Sequence, residues 1–508
     1  MERTMDVYIS GAGMTKFGRS KEPLETMMAE AASTALKEAR LERVDAIYIG
    51  VMSVEEFVGD SNFAALLTDT LGLAGVPSTR VETASSTGAG AFETAFYAVA
   101  SGHMKHILVL AGEKMTHLPT AKTTRILSEV IDRSERRYGA TMPALAAMIA
   151  QKYAREFNLS QLKLEDILAQ VAIKNHSNGY LNPYAQFRKI ITRDDYLGSQ
   201  MVSYPLRLYD CAPITDGASA MVLTSQPTPI KVSGIGHATD TSAVGHRTSL
   251  TSFNSTKEAA HKAYAMAQLN PSDIQFAEVH DAFTPFEIIG TEDLGFFSAG
   301  EGWKALEEGV TLLRGRLPVN PSGGLKARGH PVGASGLAQL VEIVYQLRGE
   351  AGTERQLGRA EIGLAHSIGG LGNNNLVTIL ERSDRKRIPK AGTIPFQEGW
   401  NQEDQCEKSV PKKRILSPPP AEVGTLETFT TLYAVPEGFR SPLTLGLVKT
   451  KGGPVVMACN PDYRSPNELK MGKTVSLKTR EGLYVFEKLT WWNRLKDWIK
   501  KQGRTFFF

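Results

Sequence analysis

The chain has 508 residues, of which 42% are hydrophobic and 22% charged, and carries a formal net charge of +4. That length exceeds one ordinary core and predicts two or three globular domains, while so small a charge excess gives no ground for a nucleic-acid partner, and none is expected. Its three cysteines, Cys211, Cys406 and Cys459, form no CxxC pair, which argues against a disulfide scaffold or a four-cysteine zinc site and predicts a reducing, cytoplasmic setting with no metal.

The N-terminal residues lack the apolar core of a signal peptide, and no run of about 18 apolar residues follows anywhere, so a cytoplasmic protein is expected. Tyr8 to Gly13 reads as a short strand running into a glycine-containing turn, and Leu24 to Ala39 as a helix with Met27, Met28, Ala31, Ala35 and Leu36 near one face. Ala46 to Val51 and Ile107 to Gly112 are continuous apolar strands, the mark of an α/β sheet covered on both faces. Between them, Val81 to Gly90 reads as the end of a strand, a tight turn, and a buried helix whose first turn carries Ser85 and Ser86. A helix start of this kind presents free N–H groups and the positive end of the dipole to an anionic or oxyanionic group at Ser85. Small residues there also serve as N-caps and packing spacers, so the turn alone does not establish catalysis.

From Thr116 to about Tyr204 the rhythm is interrupted by helical and polar sequence, including Lys174-Asn175-His176, which is read as an insertion over the active face. The pattern then begins again. Ile230 to Gly236 echoes Tyr8 to Gly13, Ile362 to His366 echoes the strand at Ile107, and Ser322 to Gly336 with its following helix matches the layout around Ser85. Two similar α/β halves back to back are expected, their helix N-termini directed into one shared site. Beyond Arg382 the composition turns polar, with Pro418 to Pro420 as a stiff linker, followed by short alternating strands that predict a small antiparallel barrel. In the tail, Trp491, Trp492, Leu495, Trp498 and Ile499 share a helical face beside six Lys or Arg. Such a face suits a membrane surface, a protein partner, or packing on its own chain or subunit.

Asp6 to about Glu381 resembles the thiolase superfamily, specifically the sterol-carrier-protein and archaeal thiolases. The resemblance rests on Tyr8 to Gly13, Val81 to Gly90, Lys174-Asn175-His176 with Asn182-Pro183, Asp210 to Pro213 with Asp216 to Ala218, His280 to Phe283, Asn320 to Gly324 with Gly329 to Gly336, and His366 to Gly370. The C-terminal part resembles the OB-fold proteins that accompany such enzymes. The resemblance implies a duplicated thiolase fold over residues 1–225, with the insertion at about 116–204, and over 226–384. A linker at 385–424, an OB-like barrel at 425–487 and a basic amphipathic tail at 488–508 complete the expected organisation.

It further implies two mixed five-stranded sheets around paired central helices, a homodimer or higher homo-oligomer, and coenzyme A thioesters as substrates with no permanently bound cofactor. In the family a cysteine at the position of Ser85 takes the acyl group and the residue at His330 deprotonates it. The residue at His280 helps to form an oxyanion hole with His330. A second cysteine, at the position of Ser367 in most thiolases and of Ala282 in the sterol-carrier type, moves the proton on the substrate α-carbon. The chain departs from this pattern, with serine at 85 and 367 and alanine at 282, while Cys211 falls where the family has a structural cysteine. The expected catalytic set is Ser85, His280, His330 and Ser367, with the N–H groups of Ser85 and Gly370 as oxyanion donors and His176 and His366 as candidate substrate contacts. Basic residues at Lys326 and Arg328, and those of the barrel, are candidate partners of the coenzyme phosphates. Three functions fit: an acyltransferase working through serine, a retro-aldolase cleaving a β-hydroxyacyl-CoA, and a non-catalytic acyl-CoA-binding scaffold.

Overall fold

The computed structural model describes residues 5–385 and 423–488 except 452, 461, 464 and 481, so the proline linker, Cys406 and the tryptophan-rich tail lie outside the described residues. The first strand, β1 (Tyr8–Met14), does not turn at its glycines but continues through them, with one register shift between Ile9 and Gly11. The reason is the approach of α1 (Leu24–Ala39): a Cβ at Gly11 would collide with the carbonyl of Ala35, and one at Gly13 would sit 2.6 Å from that of Ala31. The echo at Gly234 and Gly236 has the same cause. Both glycines lie in β8 (Ile230–Thr239), where α5 (Asn254–Ala267) brings the carbonyls of Ala263 and Ala259 against the strand. The sequence repeat therefore marks a strand pressed on a helix in each half.

The remaining body strands are β2 (Ala46–Gly50), β3 (Ser78–Val81), β4 (His106–Glu113), β7 (Gly217–Thr224), β9 (Phe276–Glu278), β10 (Ile362–Gly369) and β11 (Asn374–Arg382). They form one mixed sheet in the order β3-β2-β4-β7-β1-β8-β11-β10-β9. Two separate five-stranded sheets were expected. Instead, five strands of the first half join four of the second where Tyr8 and Ile9 pair with Lys231 and Ile230. The central helices α2 (Thr87–Ala100) and α6 (Val332–Arg348) meet backbone to backbone, since a Cβ on Gly88 would stand 2.7 Å from the Gly333 carbonyl and one on Gly336 would stand 2.8 Å from the Ala89 nitrogen. The two helix N-termini thus start side by side.

Segment 116–204 is helical, with α3 (Met142–Glu156) and α4 (Gln161–Tyr180) as its long members. Thr141 caps α3 by accepting from the Ala144 N–H, and Pro143 occupies its first turn. The stretch Ala144–Gln151 of α3 is buried without a break and apolar but for Gln151, as a helix covered on two sides requires. One of those sides is the C-terminal barrel, built from β12 (Val423–Leu432), β13 (Leu443–Thr450), β14 (Val455–Asn460), β15 (Thr474–Arg480) and β16 (Leu483–Lys488). It closes through β12 pairing with β13, and its sheet extends into the body hairpin β5 (Met201–Ser203) and β6 (Leu206–Arg207) through Leu432 opposite Ser203. Leu432, Leu443, Leu445, Leu447 and Met457 of the barrel belong to one apolar core with Leu145, Ile149, Phe283, Phe286 and Ile368 of the body. No described helix is long and apolar enough to cross a membrane.

Candidate active site

At the end of β3 the chain turns through Ala84, a non-glycine residue at φ +55°, a strained conformation held by its surroundings. The Thr83 N–H donates to Thr87 Oγ1 at 2.9 Å, and the Ser86 hydroxyl lies 2.7 Å from the Thr83 carbonyl and 2.9 Å from that of Asn374. Ser86 is the residue before α2, so both serines precede the first helical turn that was expected to carry them. The neighbouring hydroxyls are engaged in building the turn. Ser85, 8% exposed, makes no side-chain hydrogen bond among the described residues.

Gly370, at φ +58°, belongs to a loop that leans on this turn: a Cβ on Gly369 would meet the Ser86 hydroxyl at 2.6 Å. Neither the Ser85 N–H nor the Gly370 N–H reaches an acceptor among the described residues. Ala84 packs in the same apolar cluster as Val332 and Ile214, and Ile214 is bridged to His330. Those contacts bring the loop of the second half onto the serine turn of the first.

The two histidines complete the group, their rings perpendicular with centroids 5.3 Å apart. His330 places Nδ1 2.7 Å from Ser335 Oγ, whose single hydroxyl hydrogen is taken by the Pro331 carbonyl at 2.9 Å. His330 must therefore donate from Nδ1, which leaves the Nε2 lone pair free. His280 has the opposite tautomer. Its Nδ1 accepts the Ile368 N–H at 3.2 Å, so Nε2 carries the proton. Burial pushes the His330 imidazole down to about 3, with Arg328 adding repulsion, and burial then the charge of His330 push His280 well below the ordinary histidine value. The pair is neutral at physiological pH, one ring presenting an acceptor and the other a donor. Ser367, on the strand beside Ile368, is buried with its hydroxyl unpartnered among the described residues, at 2.8 Å from where a Cβ on Gly336 would lie.

Other expected site residues fall elsewhere. His366 projects from the opposite face of β10 to Ser367 and bonds Thr256 Oγ1 at 3.0 Å, between the strand and α5. His176 is packed between Phe187 and Tyr209, bonds the Lys189 carbonyl at 3.2 Å, and is pushed down to about 4 by burial. The Lys326 ammonium is buried 2.5 Å from the Cys211 carbonyl, and the Arg328 guanidinium is buried 3.4 Å from Glu278, so neither can reach a coenzyme phosphate as expected. Burial pushes the Cys211 thiol up to about 12, which makes it unreactive.

What the motif reading missed is the network behind the histidines. Lys174 pairs with Glu287 at 3.0 Å, Asn175 donates to Asp281 and Glu287 at 2.7 Å each, and Asn320 donates to Glu287 at 2.8 Å. Asp281 in turn accepts the Leu325 N–H at 2.6 Å and so holds the segment leading to His330. The available signal was a set of acids inside apolar runs, Glu278 after Phe276-Ala277 and Glu287 before Ile288-Ile289, which are buried only when partnered. Among the described residues no group of three or more His, Cys, Asp or Glu is placed to hold a metal ion.

Comparison with known proteins matches residues 7–227 to the thiolase N-terminal domain and residues 236–382 to the thiolase C-terminal domain-like family. The acetyl-CoA acetyltransferase of Methanothermobacter thermautotrophicus is 41% identical over 74% of this chain and 100% of its own length. Among solved structures, a monomeric SCP2-thiolase-like protein from Mycobacterium smegmatis covers 96% of this chain and 100% of its own at a TM-score of 0.72 with 14% identity. The Ltp2-ChsH2(DUF35) aldolase covers 76% of this chain and 100% of its own at a TM-score of 0.65 with 24% identity. At those identities the two structures speak for the fold. With both family domains matched across its body and 41% identity to a relative spanned in full, the chain belongs to the thiolase superfamily.

Proposed function

We propose that the protein is an acyl-CoA enzyme of acyltransferase type that makes or breaks a carbon–carbon bond next to a thioester. The observation that carries this reading is the perpendicular pair of neutral histidines with opposite tautomers beside two unengaged backbone N–H groups. Bond-making at an α-carbon needs an enolate, and an enolate needs hydrogen-bond donors already aimed at the thioester oxygen. His280 Nε2–H is such a donor, and the amides of Ser85 and Gly370 are others. His330 Nε2 takes the proton. Its low basicity reflects a buried imidazolium with no counter-charge, and an enolate formed beside it supplies that charge.

In acyl transfer, Ser85 Oγ attacks the thioester carbonyl, its proton passes to His330, and the coenzyme leaves as a thiolate that takes the proton up. His330 then takes an α-proton from a second acyl-CoA, the enolate so formed attacks the seryl ester, the bond from the acyl carbon to Ser85 Oγ breaks as the carbon–carbon bond forms, and His330 returns the proton to the serine oxygen.

A second reading, the retro-aldolase, is favoured by one observation: the Ser85 hydroxyl has no side-chain hydrogen bond, to a base or to any other partner, among the described residues. There the base removes the hydroxyl proton of a β-hydroxyacyl-CoA, the Cα–Cβ bond breaks, a ketone or aldehyde departs, and the enolate is reprotonated to a shorter acyl-CoA. Mass spectrometry after incubation with acetyl-CoA separates the two. An acetyl group on Ser85 supports acyl transfer. Its absence, together with release of a carbonyl compound from a β-hydroxyacyl-CoA, supports cleavage without an acyl-enzyme.

A further inference from the structure

Three glycines, Gly369, Gly370 and Gly372, make the loop that carries the Gly370 amide, and its internal bonds are long: the N–H groups of Gly372 and Asn373 reach the Gly369 carbonyl at 3.3 and 3.2 Å. Such a loop does not hold one conformation by itself. Ser255 Oγ fixes its far end by donating to the Gly372 carbonyl at 2.8 Å, and the part nearer Gly370 is held from segment 240–250. The Asp240 N–H and the Asn373 carbonyl bond at 3.0 Å, and the Arg247 guanidinium donates from Nη1 to the Leu371 carbonyl at 2.6 Å and from Nε to the Thr241 carbonyl at 3.0 Å.

Segment 240–250 is itself seated by two other parts of the molecule. The Gly245 N–H donates to Glu135 Oε1 at 3.0 Å, and a Cβ on Gly245 would lie 3.2 Å from Leu447 and 3.5 Å from Val455 of the barrel. Leu371 lies in the apolar core that contains Leu445, Leu447 and Met457. A continuous chain of contacts thus runs from the barrel through Gly245 and Arg247 to the carbonyl one residue beyond Gly370.

We infer that Arg247 is a positioning residue for the Gly370 amide, and that the barrel, by seating segment 240–250, sets where that amide points. The inference deepens the proposed function, resting on Gly370 as an oxyanion donor. Arginine suits the task because one planar fork bonds two carbonyls at once, whereas a lysine ammonium at the end of a flexible stem reproduces at most one.

The test uses the full-length chain with Arg247→Ala, Arg247→Lys and Leu447→Ala, and reads two quantities. The first is hydrogen exchange of the amides of 369–373. Arg247→Ala raises it more than about ten-fold while β10 and β11 stay protected, and Leu447→Ala raises it in the same direction. The second is deuterium incorporation into acetyl-CoA in D2O. Arg247→Ala lowers kcat by about ten- to a hundred-fold, the scale of a misplaced donor, with KM within about two-fold. Added methylguanidinium restores part of the rate to Arg247→Ala, and Arg247→Lys falls between it and the parent. Should Arg247→Ala not fold, Arg247→Lys carries both readouts. Amide exchange and kcat both within two-fold of the parent in Arg247→Ala, or in Arg247→Lys if that variant stands in, overturn the role of Arg247. Unchanged exchange in Leu447→Ala overturns the part given to the barrel. A parent protein that leaves acetyl-CoA unlabelled counts against the proposed function, and the amide-exchange readout still decides whether Arg247 holds the loop.

Discussion

A serine hydroxyl is a weak acid, and burial makes the His330 imidazole proposed to receive its proton a weak base, which sets what each substitution at position 85 does. A cysteine thiol ionises near 8.5 and more readily at a helix start, so Ser85→Cys is expected to take up an acetyl group from acetyl-CoA faster than the parent, as intact-mass spectrometry would read. His330→Ala removes the proton acceptor and is expected to lower carbon–carbon bond turnover by about 10²- to 10⁴-fold; an unchanged rate would discard the enzymatic readings. Because burial pushes His330 down to about 3, it does not titrate between pH 5 and 8 and should supply no limb of the pH profile of turnover in that window.

Glu113 titrates where His330 does not. It accepts the Gly333 N–H at 3.1 Å and the Met52 N–H at 3.0 Å, and burial pushes its carboxyl up to about 8. The native state keeps this proton to higher pH than the unfolded chain, so the stability it contributes is complete below about 4.5 and is lost as pH rises through 8. Denaturant titrations should find Glu113→Gln gaining on the parent between pH 5 and 8; a gap constant with pH would contradict the assignment. None of this was visible in sequence. The motifs named His280 and His330 but could not distinguish His366, which strand alternation turns to the other face of β10, or show that Lys326 is buried against the Cys211 carbonyl and Arg328 against Glu278.

Among the elements, the crossing of α2 and α6 sets where the two helix starts lie, and with them Ser85 and His330. With the Gly333 carbonyl 2.7 Å and the Leu337 nitrogen 2.9 Å from the position of a Cβ on Gly88, Gly88→Ala must move backbone. A loss of about 1–3 kcal/mol is expected in chemical denaturation, with activity falling further because both helix starts shift. The duplicated halves and the two helix starts were legible because apolar strands and glycine-rich helix entries repeat in order. The role of Gly11, Gly13, Gly234 and Gly236 was not. A glycine in a turn and a glycine under a packed helix look alike in sequence, and only the approach of α1 and α5 distinguishes them.

At the scale of the molecule, barrel and body share one apolar core, with Gln151 donating to the Phe429 carbonyl and Thr428 to that of Met148 at 2.8 Å across the seam. They should unfold together. Leu445→Ala, at a fully buried position of that core, is expected to cost about 2–5 kcal/mol and to lower the temperature of a single calorimetric transition; two transitions of which only the smaller moves would show the barrel to be an independent unit. The strands of the barrel were readable from their alternation, but its fusion to α3 was not, since contacts over such sequence distance leave no local pattern.

The central claim is that this site stabilises a thioester enolate. Deuterium incorporation at the α-carbon of acetyl-CoA in D2O tests it without knowledge of the natural acyl chain. The account predicts exchange by the parent protein and a loss of at least about a hundred-fold in a folded His280→Ala variant. Exchange no faster than in protein-free solution, or equally fast without His280, would contradict it.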